Sequence, residues 1–456
     1  MADNHFQVVI RCRPSAEEKV WKVRGDSLEL PLEGTDASDR PNLSFIFDRV
    51  LLEDYSHAQF YDQAIAPLVK RLTKGQCSNV AILTYGLPCT GKTHTVFGTS
   101  GQTRVKADAR GVIMRCGQQL FSELSDTPNT TSRVVATFCQ VFESEDGRKS
   151  RVADLFDMKK RDLEFVEESS HAFQFSIPTL TQQCVTSSQD ILGLVEKGYL
   201  MRNATGCVKE PAKKPMEKSS GRISQPLQQY RPHSGHAVFT LTCEQLQEGR
   251  NEVMVSRIIV ADLAGRGIEQ IHSETTCSDS GIKILHEVLE TLTEKGLAAA
   301  TTLFPQSSLT KLLKPSLGGN CDTVIIGNVC LKESSVNSTR KCLQVLSESR
   351  KIKNFVKVVK IPVHQSTLGT CLELGEKARA EITQKLGIDT TVKQVEVIGD
   401  KGIKVDDLVY EDVSSSILNL AKQVVSAESQ LVRDNGPMQK PPNGYYNITM
   451  CVDMDG

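Results

Sequence analysis

The stretch NVAILTYGLPCTGKTHT, residues 79–95, decides the fold of this chain. Its first seven residues form an apolar run, which predicts a buried strand. The spacing G-x-x-x-x-G-K-[ST] follows at Gly86, Gly91, Lys92 and Thr93. Glycines let backbone N–H groups point at phosphate oxygens, the lysine reaches the β and γ phosphates, and the threonine hydroxyl binds magnesium. The motif therefore predicts a phosphate-binding loop between a strand and a helix.

Similar apolar runs alternate with helical patterns along the chain. The runs that predict strands are QVVIRC (7–12), NVAILTY (79–85), RVVATFCQVF (133–142), AVFTLTCEQL (237–246), VSRIIVADLAG (255–265) and TVIIGNVCL (323–331). Helical patterns lie at 58–74, 187–198 and 281–295. This alternation predicts an α/β fold with a central, mostly parallel sheet flanked by helices on both faces. One exception is 241–260, where two strands flank the turn signal EGRN and predict a hairpin.

Composition excludes several classes of protein. The 456 residues suggest one large domain and a smaller unit. Lys+Arg 54 against Asp+Glu 55 gives no basic field for nucleic acid. The fourteen cysteines stand singly without a C-x-x-C pair, which is typical of reduced thiols in the cytosol. The start has no signal-peptide pattern and no apolar run approaches the roughly 18 residues of a membrane span, so we expect a soluble intracellular protein.

Two regions depart from the α/β pattern. Residues 207–232 are rich in Lys, Pro, Ser and Gln and predict a flexible surface insertion. Beyond a boundary near Lys360, residues 361–456 predict a small α+β appendage. There Ile417, Leu420, Val424 and Leu431 keep a heptad-like spacing. The spacing is too short for a coiled coil, so it favours a helix that packs on its own domain.

A phosphate-binding loop needs a second carboxylate for magnesium, normally at the end of a neighbouring buried strand. The run RIIVADLAG supplies Asp262 at its end. Gly265 follows at a distance where its N–H group can meet a γ phosphate. In isolation, Asp262 is better explained as a turn residue after a strand. Beside the phosphate loop, we interpret it as a magnesium ligand.

Residues 6 to about 356 resemble the kinesin motor domain. FQVVIRCRP (6–14) is similar to its first strand with the R-x-R-P signature, and residues 45–86 are similar to the stretch that leads to its phosphate loop. DLAG (262–265) resembles its switch II. SLTKLLKPSLGGNCDTVIIGNV (308–329) resembles the end of its microtubule-facing loop, the following helix and the last core strand. The resemblance implies a kinesin-type P-loop NTPase fold over residues 1–360.

The resemblance also implies functional residues. It places Arg11, Arg13 and Pro14 around the adenine, with His94 stacked on the ring. The alternative for Arg11 and Arg13 is that they lie at the end of a strand and extend their charged groups into water, without binding adenine. The implied nucleotide-binding set is Arg11, Arg13, Pro14, Gly86, Leu87, Pro88, Cys89, Thr90, Gly91, Lys92, Thr93 and His94. The implied catalytic set is Lys92, Thr93, Asp262 and Gly265, with Thr93 and Asp262 as magnesium ligands.

Other implied parts concern movement on microtubules. KIKNFVKV (351–358) resembles the start of the neck linker, which docks when nucleotide closes the site. Lys283, Lys311 and Lys314 would be among the positive charges that face acidic tubulin. Each of these lysines taken singly is better explained as a solvated surface residue.

Both switches depart from the family pattern. The family has N-x-x-S-S-R-S-H in switch I, whereas QYRPHSGHAVF (229–239) keeps His236 but has Ser234 in place of the arginine. Switch II continues as DLAGRG, with Gly267 in place of the family's glutamate. In the family these two residues form an ion pair over the γ phosphate. Losing both leaves no unpaired charge, but loss of proton-transfer groups typically costs about 10² to 10⁴ in rate. The alternative is that Arg266 or His233 takes the place of the missing ion pair and hydrolysis is retained.

The microtubule-facing elements are also altered. Where the family has Y-R-D-S-K-L-T, this chain has FPQSSLT (304–310), so that Pro305 and Ser308 replace an arginine and a lysine. Fewer cations predict weaker attraction to an acidic filament. The lysines of the 207–232 insertion either compensate as a basic tether or belong to a tolerated surface insertion. His233 and His236 lack further ligands, so we expect no metal site of their own.

These observations lead to one main hypothesis and two alternatives. The main one is a divergent kinesin-like protein in the cytoplasm, on the microtubule cytoskeleton, that binds ATP with Mg²⁺ and hydrolyses it slowly or not at all. The first alternative is a working microtubule motor. The second is a nucleotide-binding scaffold with a protein partner on the C-terminal appendage. A P-loop kinase or AAA-type ATPase is disfavoured, because no Asp-Glu pair stands at Asp262 and the R-x-R-P signature would be unexplained.

Overall fold

The computed structural model describes residues 4–15, 19–30, 43–99, 107–143, 151–167, 175–205, 235–265, 280–332, 336–388, 390 and 392–432. The strands are β1 (Asn4–His5), β2 (Gln7–Cys12), β3 (Lys22–Arg24), β4 (Ser27–Leu30), β5 (Leu43–Ile46), β6 (Arg49–Leu51), β7 (Asn79–Tyr85), β8 (Thr130–Phe142), β9 (Arg151–Asp154), β10 (Val166–Glu167), β11 (Phe175–Ser176), β12 (Gln183–Val185), β13 (His236–Gln247), β14 (Glu252–Asp262), β15 (Asp322–Val329), β16 (Lys353–Asn354), β17 (Val359–Pro362), β18 (Val395–Ile398), β19 (Gly402–Val405) and β20 (Leu408–Tyr410). The α-helices are α1 (His57–Ala64), α2 (Ala66–Thr73), α3 (Lys92–Phe97), α4 (Val112–Ser125), α5 (Ser188–Thr205), α6 (Ser280–Glu294), α7 (Leu297–Ala300), α8 (Ser308–Leu313), α9 (Val336–Ser349), α10 (Thr367–Leu386) and α11 (Ser415–Glu428).

The central sheet has the strand order β12-β8-β13-β14-β7-β15-β2-β6, with β9 paired to β8 and β17 paired to β14. The strands from β14 to β6 are parallel, and the pairings from β12 to β14 are antiparallel. The predicted α/β fold and the 241–260 hairpin are confirmed. The sheet is mixed, however, and the prediction that it is mostly parallel needs this correction. A short turn can join only antiparallel neighbours, and residues 248–251 join β13 to β14.

Alternate residues of the strands build a core on each face of the sheet. Val8 and Ile10 of β2 belong to one hydrophobic cluster, while Val9 belongs to the other. Helices α6, α8 and α9 cover the first face, and α1, α2, α4 and α5 cover the second. Every residue of β7 and β15 is buried, as expected for apolar strands covered on both sides.

The predicted helix at 58–74 is two helices with a break at Ile65. A capping box of Ser56 and Gln59 begins α1. A proline in the first turn begins α2, where its missing N–H group costs no hydrogen bond. The predicted pattern at 187–198 extends to Thr205 as α5, while α6 agrees with the pattern at 281–295 within one residue.

The chain after β17 forms a further layer. Lys360, the predicted boundary, lies inside β17 and pairs with Met254 of the central sheet. Helices α10 and α11 pack against each other and against the sheet β18-β19-β20, around a separate cluster that includes Ile382, Ile403 and Val424. We call α10, the small sheet and α11 the C-terminal unit. The predicted insertion at 207–232 and residues 433–456 lie outside the described residues.

No disulfide bond joins any of the described cysteines, and most of them are buried. In the same part of the chain, no helix has the length and apolar character that a membrane span requires.

Candidate nucleotide site

The phosphate loop lies between β7 and α3, as its motif predicts. Gly86 has φ 150°, and a Cβ atom there would lie 2.2 Å from the carbonyl oxygen of Asn328. Gly91 has φ 98° in the left-handed region and precedes the first residue of α3. Within the loop, the Thr90 hydroxyl donates to Leu87 O at 2.9 Å, and Cys89 is exposed. Both glycines are therefore required by the backbone path itself.

Lys92 is held inside the loop. Its Nζ atom donates to Gly86 O at 2.8 Å and to Leu87 O at 2.6 Å. Burial lowers the pKa of Lys92 to about 8, and the charge of Asp262 acts in the opposite direction. A Cβ atom on Gly265 would lie 2.5 Å from Nζ and 2.7 Å from the backbone nitrogen of Pro88. The backbone at Gly265 therefore lies directly against the loop and beside the Lys92 ammonium group.

Thr93 and Asp262 lie together although they are far apart in sequence. Thr93 Oγ1 donates to Asp262 Oδ2 at 2.7 Å. The carboxylate is in place because β14 runs parallel to β7, with Asp262 opposite Thr84. Hydroxyl and carboxylate oxygens are ligands that Mg²⁺ prefers, so this donor pair fits a magnesium ion that completes its shell with water and phosphate oxygens.

Arg202 of α5 is a site residue that the sequence did not indicate. Its guanidinium forms an ion pair with Asp262, and both side chains are 1% exposed. Nη2 also donates to Gly235 O at 3.3 Å, and the guanidinium carbon lies 5.7 Å from the centre of the Phe97 ring. The contact with Asp262 spans 60 residues of sequence, so no local pattern could have revealed it. A cation bound by Thr93 and Asp262 has to share this carboxylate with Arg202 or displace it.

A pocket of about 180 Å³ lies beside the loop. It brings together Arg11, Arg13, Pro14 and His94, the residues that the resemblance places around adenine. Arg11 Nη1 donates to Thr95 Oγ1 at 2.9 Å, and Arg13 donates to the carbonyl of Cys89. The remaining lining includes residues that sequence analysis missed: Tyr55, Ser56 and His57 before and within α1, and Asn328 of β15.

The histidines of this pocket form a pair. The Nε2 atoms of His57 and His94 are 3.4 Å apart, and the ring centroids are 4.5 Å apart. Burial lowers the pKa of His57 to about 3, and the charges of Arg11 and His94 add to this effect. Burial also lowers the pKa of His94, together with Arg11 and Arg13. Both rings are therefore neutral at pH 7, which suits the packing of a flat heteroaromatic base.

The start of β13 contacts the predicted switch II. His236 is fully buried, and its Nδ1 atom accepts a hydrogen bond from the backbone nitrogen of Ala264 at 3.0 Å. A Cβ atom on Gly235 would lie 2.7 Å from Val141 O, so glycine suits this position. Pro232, His233, Ser234, Arg266 and Gly267, on which the argument about hydrolysis depends, lie outside the described residues.

The three predicted microtubule-facing lysines differ in environment. Lys283 is exposed on α6. Lys311 Nζ lies 5.6 Å from the centre of the Phe165 ring, and Lys314 Nζ lies 5.3 Å from that of Phe175. Burial lowers the pKa of Lys314, with Glu167 acting in the opposite direction. Two of the three charges are thus packed partly against aromatic rings.

A strand, a glycine loop that encloses a buried lysine, and a threonine–aspartate pair beyond it define the class of P-loop α/β proteins. The kinesin motor domain family model matches residues 11–352, and the chain belongs to this family. The resemblance inferred from the sequence is thereby confirmed.

Individual relatives are distant in sequence. The chain is 26% identical to chromosome-associated kinesin KIF4 of Xenopus laevis over 363 residues, 76% of this chain and 27% of the relative. It is 25% identical to the kinesin-1 heavy chain of Homo sapiens (78% of this chain, 34% of the relative) and to kinesin-like protein Klp68D of Drosophila pseudoobscura pseudoobscura (93% and 50%). The chain spans about a third of the length of the first two.

A solved structure supports the fold. The structure titled "Structure of a fast kinesin: Implications for ATPase mechanism and interactions with microtubules" matches 78% of this chain and 94% of its own, with a TM-score of 0.63 and 22% identity. At this identity the match establishes the shared architecture, and the activity has to be argued from the site.

Proposed function

We propose that this chain is a kinesin-like protein that binds ATP with Mg²⁺ through its phosphate loop and docks on microtubules. The observation that carries the proposal is the arrangement of Lys92, Thr93 and Asp262 where the parallel strands β7 and β14 end. Membership of the kinesin motor family supports the choice of ATP and of microtubules as partners. The proposed location is the cytoplasm, on the microtubule cytoskeleton.

Each site residue has a defined role in this proposal. The ammonium group of Lys92 exchanges the carbonyls of Gly86 and Leu87 for β- and γ-phosphate oxygens. Thr93 and Asp262 would hold the magnesium ion, and the Gly265 N–H group would face the γ phosphate. Bound magnesium would neutralise charge that develops on the phosphate oxygens. Arg13, Pro14 and His94 would enclose the adenine.

Hydrolysis is proposed to be slow. The argument rests on the sequence, where Ser234 and Gly267 replace the two partners of the family's ion pair. Neither serine at that position nor glycine can supply the missing charges. Loss of positioned proton-transfer groups typically lowers the rate by about 10² to 10⁴. Nucleotide binding depends on other residues and should persist.

Nucleotide binding is tested first, by titrating the full chain with a fluorescent ATP analogue in the presence of magnesium. Wild-type protein should bind, and Lys92→Ala should weaken binding at least about 100-fold, because it removes charge-assisted hydrogen bonds worth roughly 1.5–3 kcal/mol each. Lys283→Ala is the matched control, since it removes an exposed lysine far from the loop in sequence. Equal binding by wild type and Lys92→Ala, or no binding by either, refutes the proposal.

Microtubule docking and turnover are tested next. Co-sedimentation with microtubules across a salt series should show binding that weakens as salt rises. Phosphate release with saturating microtubules should stay far below about 1 s⁻¹, the lower end of the kcat range that is typical of enzymes. Fast release that Lys92→Ala abolishes would support a working motor instead.

The second candidate function, a nucleotide-binding scaffold, is favoured by the course of the chain after residue 358. The segment that resembles the neck linker continues into β17, which pairs with β14 and leads directly into the C-terminal unit. The carboxylate of Glu244 accepts hydrogen bonds from the first backbone N–H groups of α10. Because residues 351–358 continue into these fixed elements, they are poorly suited to dock and undock as a neck linker does. Nucleotide binding without co-sedimentation on microtubules would favour the scaffold.

A further inference from the structure

Two thiols from distant parts of the sequence share one partner where the C-terminal unit meets the central sheet. Cys184 lies in β12, at the edge of the sheet, and Cys371 lies in the second turn of α10. Both Sγ atoms donate to Gln430 Oε1 at 3.6 Å. Because both sulfurs contact the same oxygen atom, they cannot be farther apart than twice this distance.

A buried guanidinium faces the same thiols. Arg133 of β8 is 8% exposed, and its Nη2 atom lies 3.6 Å from Cys184 Sγ. Among the described residues its Nε atom has no hydrogen-bond partner, and Nη1 lies 3.9 Å from a carboxylate oxygen of Glu244. The guanidinium thus places a positive charge against the Cys184 sulfur, and a thiolate is the attacking species in thiol–disulfide exchange.

The two thiols differ in access. Cys184 is exposed, whereas Cys371 is buried. Burial raises the pKa of the Cys371 thiol, with Arg133 acting in the opposite direction. A small molecule in solution therefore reaches Cys184 first, and Cys371 is placed to react with whatever forms on Cys184.

We propose that Cys184 and Cys371 form a disulfide bond by exchange with a small-molecule disulfide such as glutathione disulfide, and that this bond fastens α10 to the edge strand β12. The inference concerns the junction of the C-terminal unit and does not depend on nucleotide or microtubule binding.

The reaction balances with the small disulfide as the only oxidant. The Cys184 thiolate attacks one sulfur of the small disulfide, so that a mixed disulfide forms and one small thiolate leaves. The Cys371 thiolate then attacks the Cys184 sulfur, and the second small thiolate leaves. The two protons of the protein thiols end on the two released thiols. Two protein thiols are oxidised to one disulfide, and one small disulfide is reduced to two thiols.

The geometry sets one condition on the bond. A disulfide requires an S–S distance of about 2.05 Å, so the two sulfurs must approach each other and give up their shared contact with Gln430 Oε1. This side chain follows the end of α11, and among the described residues its amide nitrogen donates to Ser426 O alone, at 3.4 Å. Such a long hydrogen bond to one carbonyl holds the amide weakly.

The test uses the full chain, oxidised with glutathione disulfide and digested without reductant for mass spectrometry. We expect a linked pair of peptides that contain Cys184 and Cys371, lighter than their sum by two hydrogen atoms and separated by reductant. The oxidised chain should also unfold at a higher temperature than the reduced chain. Absence of the linked pair in the oxidised wild type, or linkage of Cys184 to a different cysteine, overturns the proposal.

Single substitutions establish the order of attack. Cys371→Ser should trap glutathione on Cys184, because the second thiol is missing, and Cys184→Ser should give neither linkage nor an adduct on Cys371. Cys330→Ser, which removes a half-buried thiol elsewhere, should link like the wild type. An adduct on Cys371 in Cys184→Ser refutes the order. Should a variant fail to fold, the peptide map of the wild type still decides whether the bond forms.

Discussion

Two buried carboxylates lie near opposite ends of the β13–β14 hairpin, and each faces an arginine. Asp262, at the open end, contacts Arg202 and the hydroxyl of Thr93. Glu244, nearer the turn, contacts Arg133 and the backbone N–H groups of Thr367 and Leu368. The Oδ2 atom of Asp262 is contacted by the side chains of Thr93 and Arg202, which a cation can replace. The partners of Glu244 include backbone N–H groups at the start of α10. These groups cannot move away from the carboxylate as long as the helix is folded and in place.

The different partners of Asp262 and Glu244 indicate different roles for the two carboxylates. A buried carboxylate with exchangeable partners is suited to binding, because the free energy of its ion pair is regained when a metal ion takes its place. A carboxylate that caps a helix contributes to the attachment of that helix. We therefore expect substitutions near Asp262 to be sensitive to magnesium, and substitutions near Glu244 to be insensitive to it.

The largest expected effect is that of Arg202→Met. It leaves Asp262 buried without its guanidinium, which should lower the free energy of unfolding by about 3 kcal/mol in the absence of magnesium. Magnesium with ATP should restore most of this loss, because the ion then neutralises the same carboxylate. Chemical denaturation with and without magnesium and ATP measures both values. An equal loss in the two conditions would show that Arg202 is structural only.

Glu244→Ala should lower the free energy of unfolding by about 2 kcal/mol, since two backbone N–H groups at the start of α10 lose their charged acceptor. Magnesium and ATP should not change this difference. Hydrogen exchange should be faster in α10 and β17 than in the wild type, while β7 should exchange as before. Glu248→Ala, in the turn of the same hairpin, is the control. Recovery by magnesium would break the distinction between the two carboxylates.

The nucleotide site could be predicted from the sequence better than the junction where the C-terminal unit meets the central sheet. The phosphate loop and Asp262 follow local rules, a glycine spacing after one strand and a carboxylate at the end of the neighbouring strand. Arg202 and His57 enter the site through contacts between distant segments, and nothing in their own surroundings marks them. At the junction, β17 extends the sheet across the boundary predicted near Lys360. The position of this boundary depends on the pairing of β17 with β14, which is distant in sequence, and the composition of the segment does not reveal that pairing.

His57→Gln tests the nucleotide end through pH. Burial keeps the folded-state pKa of His57 near 3, below its usual value of about 6.5. The unfolded chain therefore takes up a proton that the folded chain refuses, and stability falls as the pH drops from about 6.5 towards 3. At pH 5.5 this costs about 1.4 kcal/mol relative to pH 7.5. The loss between these two pH values should be smaller by that amount in His57→Gln, measured by urea denaturation. A parallel dependence in both proteins would refute the assignment.

Ser366→Ala should have the smallest effect and sharpens the comparison at the junction. Ser366 is the N-cap of α10, and its hydroxyl accepts a hydrogen bond from Gly369 N at 2.8 Å. Its removal should cost about 1 kcal/mol, less than the loss of the Glu244 carboxylate, because a neutral acceptor is replaced rather than a charged one. Since Ser366 and Glu244 satisfy different N–H groups of one helix end, the double variant should lose less than the sum of the two single losses. A helix end that has already frayed gains nothing from its second cap, and full additivity in urea denaturation would show that the two caps act independently.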